Sequence, residues 1–432
     1  MKSTTLVKQM CATTALPNML PVLQKFDRQH IEAADIPAVI AAEMSKPSVS
    51  GAFTAGQRVA ITCGSRGLAN HALITKSIVD FVAAKGAKPV VIPAMGSHGG
   101  ATAAGQVELL ARYGVTEAYL GCPILSSMET VEVGVTEDGH HVRVDKHAME
   151  QDAIIVAHRV KAHTDFRGAY ESGLMKMMAI GLGKQEGASV CHEAGFGKMA
   201  YMVPMFGKLI LKKAPVVMGL AVIENAYHET CRIEALTPQE IIDKEPALLE
   251  YAKSRMPKIL LPSCDILIVD QIGKEISGGG MDPNVSGATA CAPYISGGLQ
   301  AQHTVILSLT PDTHGVAVGM GAAHAITRRL YDEIDYDATY INGLTSRAVE
   351  YVRIPPVMDN DREAVQFAAL SAASVDMQNL RIIRILDTVH IEKIYISEAL
   401  VEQAKKISDL EIAGKPDPMP FDAEGNLPRL RA

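Results

Sequence analysis

The feature that most constrains this chain is a strand followed by a glycine turn and a helix, a pattern that occurs twice in succession. Arg58–Cys63 and Pro89–Ala94 are short apolar runs of strand type, and each precedes a glycine-containing turn and apolar residues at helical spacing. Such alternation predicts a parallel sheet covered by helices. Ligands on parallel sheets bind at the carboxyl ends of the strands. Ser65, Arg66 and His98 occupy that position in the two turns.

A second region combines polar residues with an almost wholly apolar segment. A turn that carries His163 leads through Ser172-Gly173 into this segment, which contains the cation Lys176. A helix that is apolar on most sides is normally buried, and a buried ammonium must be paired, neutral or used chemically. Ser172 and Gly173 lie where the helix would begin, so its amides predict a site for an anion such as phosphate. Two plainer interpretations stay open: Lys176 could extend its amine to water along its own stem, and the glycines could serve turns and close packing.

Several classes of protein are excluded by other features. The turn at Gly168–Gly173 lacks the lysine of a P-loop, and Gly181–Gly187 has one residue too many for a dinucleotide fingerprint. The net charge of −7, without a long basic run, argues against a nucleic-acid partner. Seven scattered cysteines without a CxxC pair indicate neither a disulfide framework nor a thiolate metal site. No apolar run is long enough to span a membrane and no signal segment is evident, so we expect a cytoplasmic protein without a membrane partner.

The length of 432 residues favours two domains. A proline-bearing joint lies between Arg255 and Asp265, and a second α/β pattern begins at Asp265–Asp270. The sequence therefore predicts an α/β fold of two α/β domains with mostly parallel sheets and an active-site cleft between them. Residues 1–258 would carry the cofactor-anchoring and acid/base residues, and residues 259–432 would close the cleft. Residues 1–50 are predicted to be an irregular arm with one short helix, and residues 323–330 to be a helix.

Three histidines and an arginine are the candidates for chemistry. His98 and His163 lie on separate turns at strand ends and could act as acid and base on opposite faces of one substrate. Arg66 could bind a carboxylate through two parallel hydrogen bonds. His192 follows the apolar segment by a helix-length interval and could return to the same pocket as a metal ligand. A single histidine makes no metal site, so further ligands would come from elsewhere in the chain or from a cofactor.

Together these motifs resemble those of the nickel-dependent lactate racemase family, whose members use a nickel-pincer nucleotide. The resemblance is carried by Ser65-Arg66, by Met95-Gly-Ser-His98, and by His163 leading to Ser172-Gly173-x-x-Lys176 and then His192. The interval from Lys176 to His192 is the same as in the family and is the most specific part of the match. In the second domain, the turn Gly278–Asn284 is similar to the turn that members of the family have at the corresponding place.

The resemblance implies a cofactor and a role for each matching residue. The cofactor is a pyridinium thioamide/thiocarboxylate mononucleotide that would supply two sulfurs and a ring carbon to nickel. Lys176 would be joined to it by a thioamide-type linkage, His192 would ligate the nickel, and Ser172 and Gly173 would contact the cofactor. His98 and His163 would be the paired acid/base residues, and Ser65 and Arg66 would bind the substrate.

The implied activity is that of an isomerase, a racemase or epimerase of a 2-hydroxy acid. One histidine would remove the hydroxyl proton while hydride passes to the cofactor, and the planar keto acid would then reorient and take the hydride on its other face. Cys63 stands where the family has an aspartate, and the interval from His163 to Lys176 is about three residues longer than in the lactate enzymes. These departures favour a larger or more polar hydroxy acid, such as a sugar acid, at least as much as lactate.

Two other functions stay open. The same cofactor could serve a dehydratase or a redox enzyme acting on hydroxy acids. A non-catalytic cofactor or small-acid binding protein could also use Arg66 and the Ser172-Gly173 turn, although simple binding requires no paired histidines. The expected partners are a small 2-hydroxy acid, the proteins that make the cofactor and, as one possibility, a second copy of the chain.

Overall fold

The structure, a computed structural model, describes residues 5–290, 295 and 297–431, and the chain divides into two compact units. One unit runs from Asp27 to Met256. The other combines the residues up to Phe26 with those from Pro257 onward. The change of unit between Met256 and Pro257 lies between Arg255 and Asp265, and the residues up to Phe26 group with the C-terminal ones.

The strands alternate with helices along most of the chain. In chain order they are β1 (Met19–Gln24), β2 (Arg58–Cys63), β3 (Lys88–Pro93), β4 (Thr130–Val135), β5 (His141–Asp145), β6 (Ala153–Arg159), β7 (Val216–Glu224), β8 (Thr230–Leu236), β9 (Ser263–Ile272), β10 (Gln300–Leu309), β11 (Ala325–Thr327), β12 (Val357–Met358), β13 (Ile382–Ile385), β14 (Lys393–Ser397) and β15 (Leu410–Ile412).

The helices comprise α-helices, short 3₁₀ segments and one π-helical stretch. The α-helices are α1 (Thr5–Cys11), α2 (Ile36–Met44), α3 (His71–Ala84), α4 (Ala103–Arg112), α5 (Glu117–Leu120), α6 (Lys146–Met149), α7 (Leu174–Lys176), α8 (Lys184–Glu193), α9 (Met199–Lys213), α10 (Pro238–Arg255), α11 (Pro283–Ser286), α12 (Arg328–Asp332), α13 (Tyr336–Ser346), α14 (Asp361–Ser371) and α15 (Val401–Ala404). The 3₁₀ segments are Ala33–Asp35, Gly99–Ala101, Phe196–Lys198, Pro311–Thr313, Met320–Ala322, Val349–Val352 and Glu398–Leu400. No helix of the described ranges is both long and apolar enough to cross a membrane.

The unit Asp27–Met256 is built on a five-stranded sheet in the order β3-β2-β6-β7-β8. β2 pairs in parallel with β3 and β6, β6 pairs in parallel with β7, and β8 is antiparallel to β7. All residues of β2 after Arg58 are buried, as expected for a strand covered on both faces. The prediction of a mostly parallel α/β fold is confirmed, and the turns that follow β2 and β3 lie at one edge of this sheet.

The other unit has an eight-stranded sheet in the order β12-β11-β10-β9-β13-β14-β1-β15. Its central strands are parallel, whereas β1 is antiparallel to both β14 and β15. The prediction of an irregular arm is therefore wrong for Met19–Gln24, where Leu20 and Val22 are buried in the core. The helix predicted over residues 323–330 is also wrong in part: β11 precedes α12, and the side chain of Thr327 caps that helix.

The apolar segment after Ser172 is not one regular helix. It consists of α7, a π-helical stretch over Met177–Leu182, and α8. Gly181 lies against the turn that follows β3, where a Cβ would come within 2.7 Å of the carbonyl oxygen of Ala94. A π-helical stretch inserts an extra residue into a helical turn and often marks a functional site. It brings the residues after Lys176 into contact with the turn that carries His98.

Candidate active site

The turns after β2 and β3 place three of the predicted residues together. Nδ1 of His98 contacts Oγ of Ser65. The hydroxyl of Tyr113 donates to the carbonyl of Ser65 at 3.3 Å and so holds the first turn from the side of α4. Arg66 and His98 are both exposed. The proximity of these turns follows directly from the parallel pairing of β2 with β3, and both side chains remain accessible to a solute.

The loop after β6 is held by α10, which the sequence did not connect with the site. Pro246 lies within α10 and has no N–H, so the carbonyl of Ile242 has no helical donor. The hydroxyl of Tyr170 donates to that carbonyl at 2.5 Å. The proline that weakens the hydrogen-bond ladder of the helix thereby creates an anchor for the loop between His163 and Lys176.

A buried carboxylate fixes the backbone of His163. Glu171 accepts a hydrogen bond from the amide of His163 at 2.8 Å, and its other oxygen lies 3.0 Å from Nζ of Lys253, on α10. Arg167 donates to the carbonyl of His163 at 2.6 Å. A buried charge is tolerated when it is paired and hydrogen-bonded. Both polar groups of the His163 main chain are therefore engaged, which defines where its ring can lie.

The start of α7 is occupied by a carboxyl group of the protein. The amide of Met175 donates to Oε2 of Glu245 at 3.1 Å. A Cβ on Gly173 would overlap Oε1 of the same side chain, so the close approach of Glu245 requires glycine there. Ser172 pairs with Lys161 through main-chain hydrogen bonds. The amide of Met175, at which sequence reasoning expected an anion, thus binds a side chain from α10.

Glu245 makes the stability of this unit depend on pH. Burial raises the pKa of Glu245 to about 8, and the amides of Met175 and Leu174 only partly oppose this. The carboxyl is therefore protonated in the fold between its usual range and pH 8, whereas it ionises on unfolding. The free energy of unfolding should fall as pH rises through this window, by about 1.4 kcal/mol per unit of pKa difference.

We expect Glu245→Gln to flatten this slope, because the amide keeps the acceptor and cannot ionise. Urea unfolding at pH 5, 6.5 and 8 measures it. Glu250→Gln, an exposed change on the same helix, should keep the slope of the parent protein. An equally steep fall in Glu245→Gln would show that another group is responsible.

His163 and Lys176 form the centre of the site. Nε2 of His163 lies 2.6 Å from Nζ of Lys176, and Nδ1 accepts a hydrogen bond from the amide of Asp165 at 3.0 Å. A neutral imidazole that accepts at Nδ1 carries its hydrogen on Nε2. Nε2 is then the donor, and Lys176 can accept only as a neutral amine. The hydrogen-bond pattern therefore favours an uncharged Lys176.

The electrostatics lower the pKa of both groups. Burial lowers the pKa of Lys176 to about 8; the charge of Asp165 opposes the shift and that of Arg66 adds to it. Burial lowers the pKa of His163 well below its ordinary value, and Lys176, Lys161 and His192 add repulsion. These couplings place the ammonium of Lys176 within reach of the charge of Arg66. The turn after β2 and the loop after β6 are thus electrostatically coupled.

His192 approaches the same region from α8. The ring of Phe196 lies 6.3 Å from that of His192 and 6.5 Å from that of His163, measured between centroids. Cys191 is buried, and burial raises the pKa of its thiol to about 12, so it does not offer a thiolate. Among the described residues, no group of three or more His, Cys, Asp or Glu side chains could hold a metal ion. His192 would need ligands from outside the protein.

One protein-family model matches this region of the sequence. The family model described as the lactate racemase N-terminal domain matches residues 14–201. This part of the chain is thus similar to the lactate racemase N-terminal domain. The predicted site residues all lie inside the matched range: Ser65, Arg66, His98, His163, Ser172, Gly173, Lys176 and His192.

Solved structures with similarity to the chain include two of low sequence identity. A protein from Thermotoga maritima shares 11% identity, with a TM-score of 0.46, over 66% of this chain and 72% of its own. The lactate racemase apoprotein from Thermoanaerobacterium thermosaccharolyticum shares 14% identity, with a TM-score of 0.45, over 80% of this chain and 85% of its own. No curated protein matches the chain significantly in sequence.

Sequence reasoning missed several residues around this site. Tyr170, Glu171 and Glu245 each take part in a separate contact with α10 or from it, to Ile242, Lys253 and Met175 respectively, and α10 lies beyond the matched range. His158 was not among the candidates although it is the penultimate residue of β6: burial lowers its pKa to about 3, with Arg159 and Lys176 adding to the shift. Its position at a strand end beside Gly64 was the signal that could have identified it.

Proposed function

We propose that this chain is an isomerase that racemises or epimerises a 2-hydroxy acid with a nickel-pincer nucleotide. The observation that carries the proposal is the contact between His163 and Lys176, in a region similar to the lactate racemase N-terminal domain, beside Arg66. An uncharged amine next to an imidazole suits covalent attachment, and a hydroxy acid requires both a carboxylate-binding cation and a base.

The chemistry of the side chains fits the cofactor. Lys176 offers a buried, readily neutral amine for the thioamide-type linkage. His192 offers a single imidazole, and the described residues supply no complete metal site, which agrees with a cofactor that brings its own sulfur and carbon ligands. When bound, the nickel-pincer nucleotide would supply reversible hydride acceptance.

In the proposed reaction the protein binds the substrate and moves a proton. Arg66 would hold the carboxylate, and its side chain is exposed for that purpose. His163 is neutral and would accept the hydroxyl proton of one enantiomer at Nε2 in the tautomer that carries its hydrogen on Nδ1, which lies 3.5 Å from a carboxylate oxygen of Asp165; His98 would accept it from the other enantiomer. Two bases suit a reaction that has to run from either stereoisomer. The exposed position of His98 and Arg66 leaves room for a substrate larger than lactate.

The test uses protein produced together with the cofactor pathway and a panel of enantiopure 2-hydroxy acids, including sugar acids, labelled with deuterium at C2. We expect inversion of the substrate with retention of the deuterium, because hydride transfer keeps that atom from exchanging with water. Chiral chromatography measures the inversion, and mass spectrometry measures the deuterium content. Loss of water from the substrate, or accumulation of the keto acid, would identify a dehydratase or a redox enzyme. Protein that carries the cofactor and leaves the whole panel unchanged would contradict the proposal.

A further inference from the structure

A second lysine, Lys184, is fully buried close to the site and has no part in the reaction proposed above. It lies where the π-helical stretch joins α8, with a φ of 53° that non-glycine residues seldom adopt. Its Nζ donates to the carbonyl of Pro93 at 2.7 Å and to Oε1 of Gln106 at 2.6 Å. A carboxylate oxygen of Asp145 lies 3.4 Å away. Lys184 therefore joins the end of β3, helix α4 and the start of α8.

Gln106 transmits this contact to the turn that carries His98. Its Nε2 donates to the carbonyl of Gly96 at 3.0 Å and to that of His98 at 3.3 Å. A lysine ammonium can only donate and a carbonyl can only accept, so a single orientation of the amide satisfies all three partners. The turn is also bound to the π-helical stretch, because the amide of Gly96 donates to the carbonyl of Gly181 at 3.2 Å.

We propose that Lys184 is a positioning residue that, through Gln106, fixes the main chain of His98 for its part in proton transfer. The inference rests on the proposed function, since that function gives His98 its role. Gln106 is fully buried and contacts the His98 carbonyl directly, so a displacement of its amide moves the main chain from which the imidazole projects.

Stability alone is a weak reason for this arrangement. Burial lowers the pKa of Lys184 and raises that of Asp145, so the protein environment opposes both charges. Replacing a buried ion pair by apolar residues is often neutral or stabilising. What an apolar side chain could not do is orient the amide of Gln106. The contact with Gln106 is shorter than that with Asp145, which agrees with a role in orientation.

Gln106→Glu is the sharpest test. Glutamate keeps an oxygen for Lys184 and replaces the amide donor by an oxygen that faces two carbonyls. We expect kcat to fall by about 10²-fold, the effect of a small misplacement of a catalytic group, while KM and the mass of the cofactor adduct stay unchanged. Gln366→Glu is the matched control, because Gln366 is a buried glutamine of the other unit that donates to the carbonyl of Thr14 at 2.8 Å. It should leave kcat unchanged.

Lys184→Met and the double variant complete a thermodynamic cycle. If Lys184 acts through Gln106, adding Lys184→Met to the Gln106→Glu variant should lower kcat only slightly further. Additive losses would overturn the proposal. Should Lys184→Met fail to fold, Gln106→Glu alone remains decisive.

A measurement without activity separates this inference from the proposed function. In protein without cofactor, ¹⁵N-histidine spectra of Gln106→Glu should show shifted ring signals for His98, identified by their loss in His98→Asn. The stacked pair His303 and His324 of the other unit should be unchanged. Shifted His98 signals in a protein without racemase activity would overturn the function and leave the positioning role. Unshifted signals together with an unchanged kcat would overturn the positioning role.

Discussion

Lys176→Ala is expected to abolish the proposed covalent retention of the cofactor and, with it, the proposed racemase activity. The amine of Lys176 is the group that the environment keeps ready to react: its pKa is lowered to about 8, and its hydrogen bond with His163 requires the neutral form. Only an unprotonated amine has a lone pair with which to form a bond. Mass spectrometry of the intact protein, followed by peptide mapping, measures the adduct and its position.

Lys161→Ala is the appropriate control for this experiment. The charge of Lys161 acts on both Lys176 and His163, so the variant changes the field at the site without removing the proposed attachment point. It should keep the adduct on Lys176. An undiminished adduct in Lys176→Ala, mapped to another residue, would disprove the assignment of the anchor.

His98→Asn is expected to lower kcat by about 10²- to 10⁴-fold, the usual contribution of a general acid or base. Asparagine keeps a polar group beside Ser65 and cannot exchange a proton near neutral pH. The adduct on Lys176 should remain at full occupancy, because His98 approaches the site from the turn after β3 and not from the loop that holds Lys176. Steady-state rates in both directions, with the adduct mass recorded on the same samples, measure the effect.

His141→Asn provides the matched control for that variant. His141 is exposed on the hairpin formed by β4 and β5, where its Nδ1 lies 2.9 Å from Glu132. Its replacement should leave both rates unchanged. A His98→Asn enzyme that keeps its rate within a few-fold of the parent would remove His98 from the mechanism.

The pairing of His163 with Lys176 also orders the events at the site. In the absence of the cofactor, Nε2 of His163 is engaged with the amine. Once Lys176 has formed its proposed linkage, that amine no longer offers a basic lone pair, and Nε2 loses this acceptor. It could then serve as a base in the tautomer that carries the ring hydrogen on Nδ1. The same imidazole would therefore serve first the anchor and then the reaction. Amine-modifying reagents should react more slowly with Lys176 in a variant that keeps its amine protonated than in the parent protein.

The sequence by itself determined the local elements and the edge of the sheet at which the polar residues gather. Apolar runs followed by glycine turns specify β2 and β3, and the rule that parallel strands end at a common edge places Arg66 and His98 near one another. These features depend on neighbours close along the chain.

Only the tertiary structure decided how the site is held. Glu245 reaches Met175, Lys184 reaches Gln106, and β1 pairs with β14 and β15, all across large separations along the chain. Periodicity records which face of an element is apolar, and it carries no information about which distant element covers that face. Burial of Lys176 was suggested by its apolar neighbours, but its partner was set by the path of the loop that brings His163 to it. That path is fixed by contacts with α10, and no local pattern encodes them.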